Sequence, residues 1–152
     1  MENKIIKHFM YNGLGFPIEL HNVTMIKIND EWHPKIDVRK ISEEAIKALV
    51  TQENRLTGNQ IKFIRSYFAM SLREFAENVV HESHTAVSKW EKNGNGFTNM
   101  DINIEKVIRL YVYDKSFVKT NKQRIDFYTL YQRLSQLTLL PKQMGVLSLG
   151  HL

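Results

Sequence analysis

Cysteine is absent from all 152 residues. Disulfides are thereby excluded, and with them every zinc site built on thiolates. No apolar run comes near the ~20 residues that a membrane-spanning helix requires, so no membrane partner is expected. The opening stretch Met-Glu-Asn-Lys-Ile-Ile-Lys has no apolar core of the kind a secretory leader carries. A phosphate-cradling loop is missing too, because Gly13 and Gly15 are followed by neither a helical pattern nor a P-loop lysine. Asp114 with Asp126, or Glu43 with Glu44, would be the acid/base pairs of an enzyme, but solvated helix faces account for them more simply. Nothing resembles an activated nucleophile. No enzymatic activity and no cofactor are expected. His81 and His84 stand three apart, a tolerable ligand spacing, yet no third and fourth ligand accompany them, so no metal is expected there. Internal repeats and low-complexity tracts are lacking as well.

What is present is concentrated between Met70 and Glu91, in Met-Ser-Leu-Arg-Glu-Phe-Ala-Glu-Asn-Val-Val-His-Glu-Ser-His-Thr-Ala-Val-Ser-Lys-Trp-Glu. Leu72, Phe75, Ala76 and Val79 recur at helical spacing, and Ser71 stands where an N-cap belongs. Ser83 opens a second helix whose Val87 and Trp90 point inward at i and i+3. His84, Thr85, Ser88 and Lys89 are left on its outer face, all able to hydrogen-bond base edges or phosphates. Two short helices with a tight connection and such a polar second helix are how a helix-turn-helix presents itself to the major groove. The plainer alternative is a helical hairpin inside a core.

Residues 57–96 resemble the XRE/Cro-type repressor family. Leu56-Thr-Gly-Asn-Gln-Ile-Lys-Phe-Ile-Arg65 looks like that family's first helix, with Thr57 as cap and Ile61, Ile64 and Phe68 inward. Arg73-Glu-Phe-Ala-Glu77 resembles its second helix, and Ser83 to Glu91 its third. The resemblance implies an ion pair between Arg65 and Glu91 joining the first and third helices. It implies base reading by His84, Thr85, Ser88 and Lys89, and phosphate binding by Ser71, Arg73, Lys92 and Asn93. One departure stands out: the turn Asn78-Val-Val-His-Glu82 is a residue longer than the family norm, and Val80 replaces a common glycine. Glycine there supplies φ > 0 cheaply, which valine cannot.

Before this module, Phe16, Ile18 and Leu20 alternate with Pro17, Glu19 and His21, the period of a strand with one buried face. His21-Asn22 reads as a turn and Val23 to Ile28 as a return strand, with Pro17 suggesting that the first strand lies on an edge. Asp30 to Pro34 breaks the pattern, and a third short strand is expected around Lys35 to Val38. Ser42 is expected to cap a helix with Glu43 and Glu44 in its first turn and Ala45, Ile46, Leu49 and Val50 inward. This order resembles antitoxin-type repressors of the MqsA-like and HigA-like groups. Many MqsA-like proteins hold zinc in an N-terminal sheet through paired cysteines. Here Glu31-Trp-His-Pro34 occupies the comparable stretch, so hydrophobic packing through Trp32 would have to replace the metal.

Downstream, Lys92 to Gly96 reads as a loop rich in positive-φ residues. Ile104, Val107, Ile108 and Tyr111 mark an amphipathic helix with Lys106 and Arg109 outward. Phe127, Leu130, Tyr131 and Leu134 mark another, ended by Pro141, and are the candidate dimer interface. The apolar tail Met144 to Leu152 is expected to pack either on a dimer partner or on the chain's own N-terminal sheet. Net charge is +5. Residues 57–96 carry five Lys/Arg against four Asp/Glu, whereas residues 102–152 carry eight against three. Lys115, Lys119, Lys122 and Arg124 cluster there, on a solvated helix face or against a DNA backbone.

The expected fold is therefore α+β and mainly α. Residues 1–55 form a small antiparallel sheet and helix, residues 56–113 a helix-turn-helix domain, and residues 114–152 a C-terminal helix and tail. The expected function is repression of transcription by a homodimer on palindromic double-stranded operator DNA. The resemblance extends this to an antitoxin that binds a cognate toxin protein and works in the bacterial cytoplasm, on the nucleoid. The alternative is a protein-interaction module whose helix-turn-helix no longer binds DNA.

Overall fold

Two-residue periodicity builds the N-terminal strands of the computed structural model, which describes residues 2–117, 122, 125, 126, 129, 130, 132 and 146–150. The chain divides into two compact units, Met1–Ala45 with Val146–Leu152, and Ile46–Gly145. The first contains strands β1 (Asn3–Tyr11), β2 (Ile18–Ile28), β3 (Glu31–Pro34) and β4 (Leu147–Leu149). β1 and β3 pair antiparallel with β2, while β4 runs parallel to it, so the sheet is mixed rather than antiparallel throughout.

Two sequence expectations change here. His21-Asn22 is no turn: β2 continues through it. Asn22 sits at φ 57, Lys7 and Asn22 are skipped in the otherwise unbroken β1–β2 register, and burial shifts from Ile18 and Leu20 to Val23 and Met25. A left-handed residue rotates the strand so that both halves keep their apolar side chains inward; the break in alternation was real, but it marks a kink. Asparagine tolerates this conformation better than most residues. β2 is also central, with Pro17 just before it, so the missing N–H costs the ladder nothing.

The hairpin turn lies instead at Asn29-Asp30, both left-handed (φ 51 and 63), the two-residue geometry that matches strand twist. It places β3 at Glu31–Pro34, not Lys35 to Val38. Trp32 is half-buried, with Lys4 Nζ 4.2 Å from its ring centroid, a cation–π contact rather than core packing. Helix α1 (Val38–Thr51) begins a turn earlier than Ser42 would have it. Asp37 caps it, accepting the Lys40 N–H at 3.2 Å. The tail settles on the chain's own sheet: Leu147 and Leu149 of β4 are buried beside Ile18 and Leu20.

The second unit is helical: the end of α1, then α2 (Gly58–Tyr67), α3 (Leu72–Phe75) continuing as a π-helical turn (Ala76–Val80), α4 (His84–Glu91) and α5 (Ile102–Phe117). Ile46, Leu49, Leu56, Ile61, Ile64, Phe75, Val79, Val87 and Ile108 are among its buried side chains. α2 and α3 pack on α4, and α5 packs on the π turn.

α5 departs from expectation. Its buried stripe runs through Glu105, Ile108, Arg109 and Val112, while Val107 is 45% exposed. Arg109 therefore points inward, not outward. Glu105 accepts from Arg109 Nη2 at 2.9 Å and from Arg55 Nε at 2.9 Å. Arg109 also donates to the carbonyls of Val50, Gln52 and Asn54, and Arg55 to that of Met100. All three side chains are at most 3% exposed. Such a triad is tolerated in the interior because each charge finds partners. Burial lowers the pKa of Arg109, and Glu105 opposes the shift. Leu130 is buried; Phe127, Tyr131, Leu134, Lys119, Arg124 and Pro141 lie outside the described residues.

Candidate nucleic-acid interface

Three short-range caps define the ends of the helices around α4. Thr57 and Gln60 form a reciprocal capping box at α2, Thr57 Oγ1 accepting the Gln60 N–H and Gln60 Oε1 the Thr57 N–H. Ser71 caps α3 by accepting from the Glu74 N–H, and Ser83 caps α4 by accepting from the Ala86 N–H, each at 3.1 Å. Each cap satisfies an N–H that the helix start would otherwise leave open.

The long connection between α3 and α4 solves the problem that Val80 poses. Ala76–Val80 forms the π turn, and the left-handed conformation falls on His81 (φ 55, ψ 42). Its N–H donates to Ala76 O, as does the Glu82 N–H at 3.1 Å. Val80 thus stays helical and buried.

Long-range contacts then set where α4 lies. Arg65 donates to both oxygens of Glu91, Nε to Oε2 at 2.8 Å and Nη2 to Oε1 at 2.9 Å, and its Nη1 reaches Met70 O at 3.0 Å. The pair is only 16% and 10% exposed, and its fork geometry fixes orientation as well as distance. Hydrogen bonding to Glu91 raises the Arg65 pKa against the effect of burial. Gly58 touches the end of α4, where an added Cβ would collide with the Trp90 carbonyl. Asn59 N–H donates to Gly94 O at 2.8 Å. Within Lys92 to Gly96 Gly94 alone has a positive φ, so that loop is less strained than its composition suggests.

On this support Val87 and Trp90 are buried, and His84, Thr85 and Lys89 are exposed, with Ser88 half-buried. Ser71, Arg73, Lys92 and Asn93 are exposed as well. The Asn93 amide, however, donates to Lys89 O at 2.9 Å and so closes the C-terminus of α4. Exposed Glu74, Glu77 and Glu82 lie on the neighbouring turns. His81 and His84 gather no third ligand-type side chain among the described residues. The Arg55–Glu105–Arg109 triad is not legible in the sequence because Arg55 lies 50 residues from Glu105 and charged residues count as outward in any hydrophobic period. Comparison with family models, with curated proteins and with solved structures gives no match.

Proposed function

We propose that the chain is a sequence-specific DNA-binding repressor that inserts α4 into the major groove. The observation that carries this reading is the division of α4 itself: Val87 and Trp90 buried, His84, Thr85 and Lys89 exposed, and the whole helix anchored by the Arg65–Glu91 pair. A short helix so held offers base edges a rigid row of donors and acceptors. One module makes few base contacts, so the chain acts as a homodimer on a palindromic site. At its finest the reading is an antitoxin that represses its own operon and binds a cognate toxin. The rival, a protein-interaction module, draws support from charge: residues 57–96 carry five Lys/Arg and four Asp/Glu, a net of only +1.

Gel shifts on the DNA upstream of the chain's own gene, at several salt concentrations, test the proposal. Thr85→Ala and Lys89→Ala should each relax sequence preference and cost about 1–3 kcal/mol per lost base contact. Lys92→Ala should weaken binding to all sequences alike and flatten the salt dependence. Unchanged affinity in all three variants would overturn the assignment of α4. A stable, salt-insensitive complex with a protein partner and none with DNA would favour the rival.

A further inference from the structure

The outer face of the sheet brings one side chain of β1 to two of β2. His8 on β1 stands directly opposite His21 on β2, and Glu19 lies two residues before His21, so all three share one face. His8 Nδ1 is 2.6 Å from Glu19 Oε1, and the two imidazoles meet edge to face with centroids 5.1 Å apart. One ligand atom from each of the three lies within 4.8 Å of the others. Ser148 of β4, the register partner of Glu19, places Oγ 2.7 Å from His21 Nε2. We propose that His8, Glu19 and His21 form a binding site for a divalent transition-metal ion of the zinc class, with Ser148 as a positioning residue for the His21 ring.

Two imidazoles and a carboxylate are the donors that zinc and its neighbours favour, whereas calcium and magnesium demand oxygen throughout. A tetrahedral zinc with bonds of about 2.0–2.2 Å holds its ligand atoms roughly 3.3 Å apart, and the three ligand atoms here already lie within 4.8 Å of one another. The ion takes the place of the hydrogen bond between His8 and Glu19: His8 binds as neutral imidazole through one ring nitrogen with its proton on the other, Glu19 binds as carboxylate, and water completes the coordination. Hydrogen bonds to the outer nitrogen of a ligating histidine fix its orientation, which is the role Ser148 takes. The position has a structural use. β1 is an edge strand of mostly exposed residues, and its ladder with β2 lapses at Lys7 and Asn22, one residue from His8 and His21. An ion there ties the two strands together beside the gap.

The test uses the full chain, stripped of metal by chelation and titrated with zinc chloride by calorimetry. Cobalt(II) in a parallel titration reports coordination through its visible absorption, with no thiolate band because the chain has no cysteine. One ion should bind per chain with micromolar or tighter affinity, and zinc should raise the melting temperature. His8→Ala, Glu19→Gln and His21→Ala should each weaken binding by about tenfold or more, and Ser148→Ala by about tenfold. The double variant of His81→Ala with His84→Ala should bind like the parent. His8 is 66% exposed, so His8→Ala is decisive even if His21→Ala perturbs the sheet, and circular dichroism checks each fold. No binding by the parent chain, or binding that survives His8→Ala with Glu19→Gln, would overturn the site. DNA binding is not involved, so this outcome is separate from that of the α4 variants.

Discussion

His81 shows how much one residue can be asked to do. It takes the left-handed backbone (φ 55) that ends the π turn and allows Ser83 to start α4. A side chain there costs roughly 1–2 kcal/mol, although part of any gain from glycine is returned through the freer unfolded chain. His81→Gly is expected to stabilise the protein by about 0.5–1 kcal/mol, and His81→Val to destabilise it, as read from urea midpoints. The opposite order would mean that the His81 side chain contributes contacts of its own. Glu91 presents the converse case, a charge whose partner is nearly enclosed. Glu91→Ala strands Arg65 and should cost about 3 kcal/mol, against no more than about 1 kcal/mol for an exposed pair. Denaturant melts of that single variant distinguish the two.

At the scale of elements, charge decides which face of α5 is buried. Hydrophobic spacing alone favours a face with Val107, but Glu105 and Arg109 turn inward with Ile108 and Val112 because Arg55 and the carbonyls of Val50, Gln52 and Asn54, at and just after the end of α1, meet them. Removing the central carboxylate leaves two guanidinium groups facing each other in the interior. Glu105→Leu is expected to cost about 3–5 kcal/mol, measured by urea unfolding. Simultaneous replacement of Arg55, Glu105 and Arg109 by apolar residues should recover much of that loss, because the desolvation penalty disappears with the charges. The contact between α2 and α4 is equally exacting. Gly58→Ala would drive a Cβ into the Trp90 carbonyl, so α2 and the end of α4 must shift apart. If α4 reads DNA as proposed, DNA affinity should fall with stability in that variant; retained affinity would show that the α4 position tolerates the shift.

At the scale of the molecule, the first and last of the described strands share one sheet. β4 lies more than a hundred residues from β2, yet Leu147 and Leu149 complete the buried row begun by Ile18 and Leu20. Leu149→Ala should therefore destabilise by about 2–4 kcal/mol and raise amide exchange at Ile18 to Leu20 in β2. Normal protection of those amides would argue that the parallel pairing is dispensable. Long-range pairing of this kind carries a closure cost that local hairpins avoid.

The sequence by itself determined what acts over a few residues. Thr57 with Gln60, and Ser71 and Ser83 with the N–H three positions on, depend only on neighbours. So does the 3.6-residue period that turns Val87 and Trp90 away from His84, Thr85 and Lys89. The left-handed turns were legible only in part: Asn22 looked like a loop because a kink and a turn break alternation in the same way. Tertiary structure decided everything that joins distant segments. It chose the phase of α5, the buried triad, the edge on which β4 lies, and the meeting of His8, Glu19 and His21. No local pattern encodes these, because burying a charge or pairing a strand is favourable only when a partner many residues away arrives at hydrogen-bonding distance.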